Sequence, residues 1–344
     1  GNDAMITMEE AIDLVVASTG TIEEIQIDLM DALGRILAQD VVSDIDMPPF
    51  NKATMDGYAV IGEDLANAST DNPGVLDVVE EIPAGAVPKH TISSGQASGI
   101  MTGAPVPPGA DAVVMVEDTE TNQNGDSVRI FASTASGKNI APQGEDVRKN
   151  QRVLRSGCHI RPPEIGILAA VGCVRVPVRR KPVVGIVATG SEIVEPKNLP
   201  APGQIRNSNG YSMAAQIENA GAEARYLGIV ADDSGALEDV ISRGLDECDI
   251  FLLSGGVSAG LYDLVQGAMK SCGVTVHFDR IKMKPGKPLT FGTKGDKLIF
   301  GLPGNPVSAV VGLELLVRPA IRGMQGIRTL HHRTVVGNLE DRFE

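Results

Sequence analysis

The chain has 344 residues, 42% of them hydrophobic and 22% charged, which argues against wholesale disorder and, at about 150 residues per domain, predicts two or three domains. A formal charge of −14, from 30 basic and 44 acidic residues, argues against a general nucleic-acid binder. No apolar run approaches the roughly 18 residues of a membrane span, and the acidic start lacks the cationic region of a secretory signal. Gly1–Ala4 read as an appended leader before a native Met5. Cys158, Cys173, Cys248 and Cys272 stand far apart with no C-x-x-C, so neither a zinc ribbon nor a disulfide scaffold is expected, and a reducing cytoplasm fits. Cys158 and Cys173 read as packing residues.

Along the chain, Thr7-Met8-Glu9-Glu10 has the pattern of a capping box and predicts a helix over 8–18. Leu29, Leu33 and Leu37 at four-residue spacing predict a second helix over roughly 28–38. From Pro48 to about Asp146, short β-rich runs such as 75–82 and 112–116 alternate with Gly, Pro, Asn and Asp turns, predicting a β-rich domain. From Lys181 the pattern becomes regular, with strands over 183–188, 226–230, 250–253, 274–278 and 298–301. Helices over 210–220, 236–246, 262–271 and 307–317 alternate with them, Asp233/Ser234 and Pro306 marking two helix starts. Apolar strands alternating with helices predict an α/β fold, a doubly wound, mainly parallel three-layer α/β/α domain. A strand is expected over 333–337. The expected division is 5–45 with 147–176 as an elongated mixed linker domain, 46–146 as the β-rich domain, 177–326 as the α/β/α domain, and 327–344 as the start of another β domain.

Ligands of an open parallel sheet bind beyond the carboxyl ends of its strands. There the expected loops carry Thr189-Gly190-Ser191-Glu192, Asp232-Asp233, Ser254-Gly255-Gly256-Val257-Ser258 running on to Asp263, Arg280 through Lys284-Pro285-Gly286-Lys287, and Pro303-Gly304-Asn305-Pro306-Val307-Ser308. The glycine loop fits neither G-x-G-x-x-G nor a Walker-type loop, which excludes those nucleotide sites. Residues 1–60 hold twelve acids against two bases, whereas 279–328 hold nine bases against three acids. That asymmetry fits either a solvated basic face or cations reserved for a small anion. Glu192, Asp232 and Asp263 offer hard oxygen ligands suited to Mg²⁺, while Lys284 and Lys287 suit an oxyanion. Together these groups point to chemistry on a phosphate-containing substrate. His331-His332 is better read as surface than as a metal pair, because adjacent strand residues face opposite ways.

Eight ordered motifs carry a resemblance: Met55-Asp56-Gly57-Tyr58-Ala59-Val60, Met101-Thr102-Gly103-Ala104-Pro105, Ala110-Asp111-Ala112-Val113-Val114, Gly144-Glu145-Asp146, and the four turns at 189–192, 254–258, 284–288 and 303–308. Spanning residues 5 to about 340, the set resembles the molybdopterin molybdenumtransferases, the MoeA and gephyrin E-domain family. The resemblance implies a MogA-like α/β/α domain and Mg²⁺-assisted insertion of molybdate into adenylylated molybdopterin with release of AMP. It also implies a homodimer in which Asp56 and Thr102 come from the partner subunit with Asp146 near them. Glu192, Asp232 and Asp263 would line the metal and pterin-phosphate region, Thr189, Gly190, Ser191, Gly255, Gly256, Val257 and Ser258 would contribute loop contacts, and Lys284 and Lys287 would hold the anion. Pro303, Asn305 and Ser308 would shape the pocket. Two departures stand out: Arg280 replaces a family lysine, and Leu261 stands where the family often has an acid. A further C-terminal β domain of the family would be cut short at Glu344. A molybdopterin adenylyltransferase, which resembles the α/β part alone and could also be a partner protein, and a non-catalytic gephyrin-type scaffold are the competing readings.

Overall fold

The structure is a computed structural model that describes residues 5–255, 259–284 and 286–337, leaving aside the side chains of 259–262. The chain folds into two compact units, one made of 41–154 with 170–172, the other of the remainder. Among the described residues no helix is long and apolar enough to cross a membrane.

The smaller unit is built on a six-stranded mixed sheet in the spatial order Ala112–Met115, Gly57–Val60, Gln96–Ile100, Gly74–Ile82, Ser127–Ile130, Thr119–Thr121. Period-2 alternation separates its two faces. Tyr58, Val60, Ala112 and Val114 join one apolar cluster, whereas Ala59, Val113, Ile82 and Ile100 join another. Residues on both faces of the Gly57–Val60 strand are therefore buried.

The larger unit carries the three-layer α/β/α body. Its six-stranded sheet runs Glu223–Val230, Val183–Thr189, Ile250–Gly255, Lys297–Leu302, Pro288–Lys294, Thr275–Arg280. The first four are parallel. Pro288–Lys294 is antiparallel to both of its neighbours, which turns Thr275–Arg280 back to the common direction. Val184, Ile186, Ile250, Leu252, Leu298 and Phe300 face one core with helices Asn209–Asn219 and Pro306–Gly312, while Val187, Phe251, Leu253 and Ile299 face helices Ser234–Glu247 and Ala259–Ser271 on the other side. The N-terminal helix Met8–Ala17 inserts Ala11 and Val15 into the first core. Its capping box forms, with Thr7 Oγ1 accepting from the Glu10 amide at 3.2 Å and Glu10 Oε2 from the Thr7 amide at 2.7 Å.

Several expectations are corrected. Residues 28–38 form no long helix: strand Glu24–Asp28 leads into a short 3-10 turn, Leu29–Asp31. Gly34 then adopts φ +76°, and Ile36 and Leu37 make β-bridges to His159 and Val178. A left-handed glycine breaks a helix, so the leucine spacing never becomes a face, and Leu33 is exposed while Leu37 is buried. Residues 333–337 form no strand, since no described strand offers them a ladder. The last helical stretch outruns its expected end, passing through a π segment, Leu313–Val317, into helix Arg318–Met324. The antiparallel strand Pro288–Lys294 was not foreseen; the two-residue turn Gly295-Asp296 joining it to Lys297–Leu302 was its available signal.

Candidate functional site

The sheet's strand order reverses direction around Val183–Thr189: the chain passes first to Glu223–Val230 on one side and then to Ile250–Gly255 on the other. Such a switch point leaves a crevice at the strand carboxyl ends, because successive connections depart over opposite faces. A cavity of about 300 Å³ lies there. Its lining includes Thr189 and Glu192 after the first strand, Arg206–Asn209 at the next helix start, Ser254–Gly255, and Gly304–Pro306.

Local chemistry explains the walls. Gly255 has φ +136°, and a Cβ there would fall 2.0 Å from the Thr189 carbonyl oxygen, so only glycine permits the two strand ends to approach this closely. Asn305 caps the helix beginning at Pro306, its Oδ1 accepting from the Val307 amide at 3.0 Å and the Ser308 amide at 3.3 Å. Asp232 Oδ2 accepts from the Ser191 amide at 3.2 Å, tying the ends of two adjacent strands together. Behind one wall, Asn207 Nδ2 donates to the Tyr226 hydroxyl at 2.7 Å, which donates in turn to Glu195 Oε1 at 2.7 Å. Burial, with the Glu195 carboxylate beside it, raises the Tyr226 hydroxyl pKa far above the usual phenol range. Two groups are left over. Thr189 is buried and its Oγ1 has no hydrogen-bond partner, and the Glu192 carboxylate is exposed and makes no hydrogen bond or ion pair among the described residues.

Of the residues expected from sequence, Thr189, Glu192, Gly255 and Asn305 line this cavity. Gly190, Ser191 and Asp232 adjoin it through the Ser191–Asp232 bond, whereas Pro303 and Ser308 flank its final turn. Lys284 and Lys287 are exposed and do not line it. At about 4.8 Å per strand, the two outer edges of the sheet lie roughly 24 Å apart, which keeps these lysines from the Asp232 end. Gly286 between them approaches the final turn: a Cβ on it would stand 3.6 Å from Ser308 Cβ. Asp263 lies exposed on helix Ala259–Ser271 and Arg280 at the end of its strand. Among the described residues no group of three or more His, Cys, Asp or Glu converges to hold a metal, so Glu192, Asp232 and Asp263 form no ready-made triad. Gly256, Val257 and Ser258 lie outside the described residues.

In the smaller unit, Asp56 Oδ1 accepts from the Thr102 amide at 2.7 Å and its hydroxyl at 2.8 Å, and these bonds hold the Asp56 carboxyl below the usual carboxylate range. Asp146 is exposed, its amide donating to Met47 O at 3.0 Å, and its side chain bonds to neither of them. Sequence reasoning missed Arg206, Asn207 and Asn209; the cap-forming run Asn207-Ser208-Asn209 before an apolar helix was their available signal.

Comparison with known proteins decides the family. Residues 6–172 match the MoeA N-terminal region (domain I and II), and residues 185–323 match a probable molybdopterin binding domain. A molybdopterin molybdenumtransferase of Staphylococcus epidermidis is 36% identical over 338 residues, covering 98% of this chain and 80% of the relative. That of Bacillus subtilis is 39% identical over 319 residues, covering 92% and 74%. The chain belongs to the molybdopterin molybdenumtransferase family. A crystal structure of the molybdopterin biosynthesis MoeA protein of Pyrococcus horikoshii superposes with a TM-score of 0.83 at 34% identity, covering 95% of this chain and 81% of that one. The α/β/α body matched by the molybdopterin-binding family is the one that carries the cavity.

Proposed function

We propose that this chain inserts molybdate into adenylylated molybdopterin and releases AMP, completing the molybdenum cofactor. The observation that carries the reading is the switch-point cavity, where a buried hydroxyl (Thr189) and a carboxylate (Glu192), both without a partner among the described residues, converge with a capped turn (Asn305) inside the molybdopterin-binding domain. Buried polar groups are normally satisfied, so a hydroxyl left open in a cavity suits a ligand.

In this reading the pterin and its phosphate lie along Thr189–Glu192, Gly255 and Pro303–Ser308. Lys284 and Lys287, with Arg280 close by in sequence, hold the tetrahedral oxyanion beside Ser308. Their positive charge complements that dianion. Mg²⁺ fits the donor set as an ion shared with substrate phosphate oxygens, since Glu192, Asp232 and Asp263 are all exposed carboxylates and do not close a site by themselves. Those three residues would hold it, and when bound it would polarise the phosphoryl group. Asp56, Thr102 and Asp146 act from a second copy in a homodimer, and a molybdopterin adenylyltransferase of the cytoplasm supplies the substrate. The match over residues 6–172 sets the chain apart from the adenylyltransferase itself.

The deciding experiment gives the purified chain adenylylated molybdopterin, molybdate and Mg²⁺ and follows AMP by chromatography. Molybdate-dependent AMP is expected. Release no faster than the enzyme-free background would overturn the assignment.

A further inference from the structure

Four separate stretches wall the cavity, and one side chain ties three of them together. Asn209 Nδ2 donates to Ser254 Oγ at 3.2 Å and to the Gly304 carbonyl at 2.9 Å. Its partners lie 45 and 95 residues away, at the end of the Ile250–Gly255 strand and in the turn preceding the last helix. Asparagine near a helix start ordinarily spends its side chain on local backbone amides. Here that task falls elsewhere: Asn207 Oδ1 accepts from the Gly210 amide at 3.0 Å, and Ser208 makes no side-chain cap. The Asn209 amide is thereby released to reach across the cavity floor. The chemistry is selective, since a primary amide supplies two donors from one nitrogen, a hydroxyl supplies one, and an ionised carboxylate none.

The consequence reaches beyond the two bonds. Gly304 precedes Asn305, which fixes the Val307 and Ser308 amides, and the glycine between Lys284 and Lys287 packs beside Ser308. We propose that Asn209 is a positioning residue that sets the spacing between the end of the Ile250–Gly255 strand and the turn that supports the lysines. The proposal deepens the transferase reading and rests on it for its kinetic consequence, while its structural half stands independently. Reacting groups displaced by about 1 Å can lose up to a hundredfold in rate, so loss of the tie should act on chemistry more than on folding.

The test uses Asn209→Asp, which keeps the shape and removes both donors at neutral pH. Amide hydrogen exchange at 303–308 should quicken in the variant, and AMP release should fall about tenfold or more, with the melting temperature little changed. Protonation restores one donor to the carboxyl, so the ratio of variant to unaltered rate should climb as pH falls towards 5. Unchanged exchange at 303–308 overturns the tie. A rate ratio that stays flat with pH, or a rate loss matched by a collapsed melting temperature, overturns the positioning role in favour of a purely structural one. Should the unaltered chain release no AMP, the transferase reading is what fails, and the exchange comparison still decides whether Asn209 holds the turn.

Discussion

The two ends of the same six-stranded sheet treat charge in opposite ways. At the amino end, Arg180 donates to both oxygens of Asp249, at 2.8 and 3.0 Å, and pairs with Glu23 as well. Asp249 also accepts from the Val183 amide at 2.7 Å and lies 3.8 Å from Lys297 Nζ. Burial alone would raise the Asp249 carboxyl, but the Arg180 and Val183 bonds outweigh it and hold it below the usual range. A cavity of about 260 Å³ opens there too, lined by these same paired groups. At the carboxyl end, the Glu192 carboxylate and the Thr189 hydroxyl have no protein partner among the described residues. Concavity does not distinguish the two ends; satisfaction does. The amino end spends its charges on anchoring strand starts, and the carboxyl end leaves polar groups open for something else to complete.

The sharpest way to break this contrast is to alter one carboxylate at each end. Asp249→Ala strips a bidentate partner from a half-buried arginine and an acceptor from a strand amide, and should cost about 3 kcal/mol of stability in urea denaturation. Turnover per folded molecule should persist. Glu192→Gln should do the reverse, cutting AMP release about a hundredfold while shifting stability by no more than about 0.5 kcal/mol. A Glu192→Gln protein that is markedly less stable would mean that this carboxylate is structural and the contrast false. Lys284→Ala sharpens the carboxyl end further. Removing one ammonium from a charge-assisted contact should raise the molybdate concentration for half-maximal rate about tenfold, whereas an unchanged value would remove Lys284 from the oxyanion site.

How much of this was legible in the sequence follows the distance over which each feature is specified. The Thr7 capping box, the helix starts at Asp233 and Pro306 and the parallel strands were readable because each depends on neighbours a few residues away. At Gly255 the need for glycine comes from the Thr189 carbonyl, a neighbour in space but distant in the chain. The helix expected over 28–38 does not form because Gly34, at a φ of +76°, interrupts the leucine periodicity. Asp56 entered only through the resemblance, since Thr102, which grips it, is 46 residues distant. Asn209 escaped notice for the same reason. Contacts made by a side chain across the sheet leave no local pattern, and only the resemblance or the fold itself reveals them.

A carboxylate at neither end provides the control, with the smallest expected effect. Glu164 lies in the first turn of helix Pro162–Ala170, where it accepts from the Arg161 amide at 2.9 Å and pairs with the Arg161 guanidinium at 2.6 Å. Hydrogen bonding to Arg161, opposed by burial, lowers its carboxyl to about 2. Because the folded value lies below the unfolded one, the contribution to stability is complete above about pH 4.3 and fades as pH falls towards 2. The Arg161 side chain is 63% exposed, so solvent screening reduces the pair to about 1 kcal/mol. Glu164→Gln should therefore lose about 1 kcal/mol at pH 7 and become indistinguishable from the unaltered chain near pH 2, in denaturation curves taken at each pH. AMP release should be unaffected, because a satisfied charge that does not line the open cavity has nothing to offer a ligand; a loss of turnover here would show that pairing does not separate structural charges from functional ones in this protein.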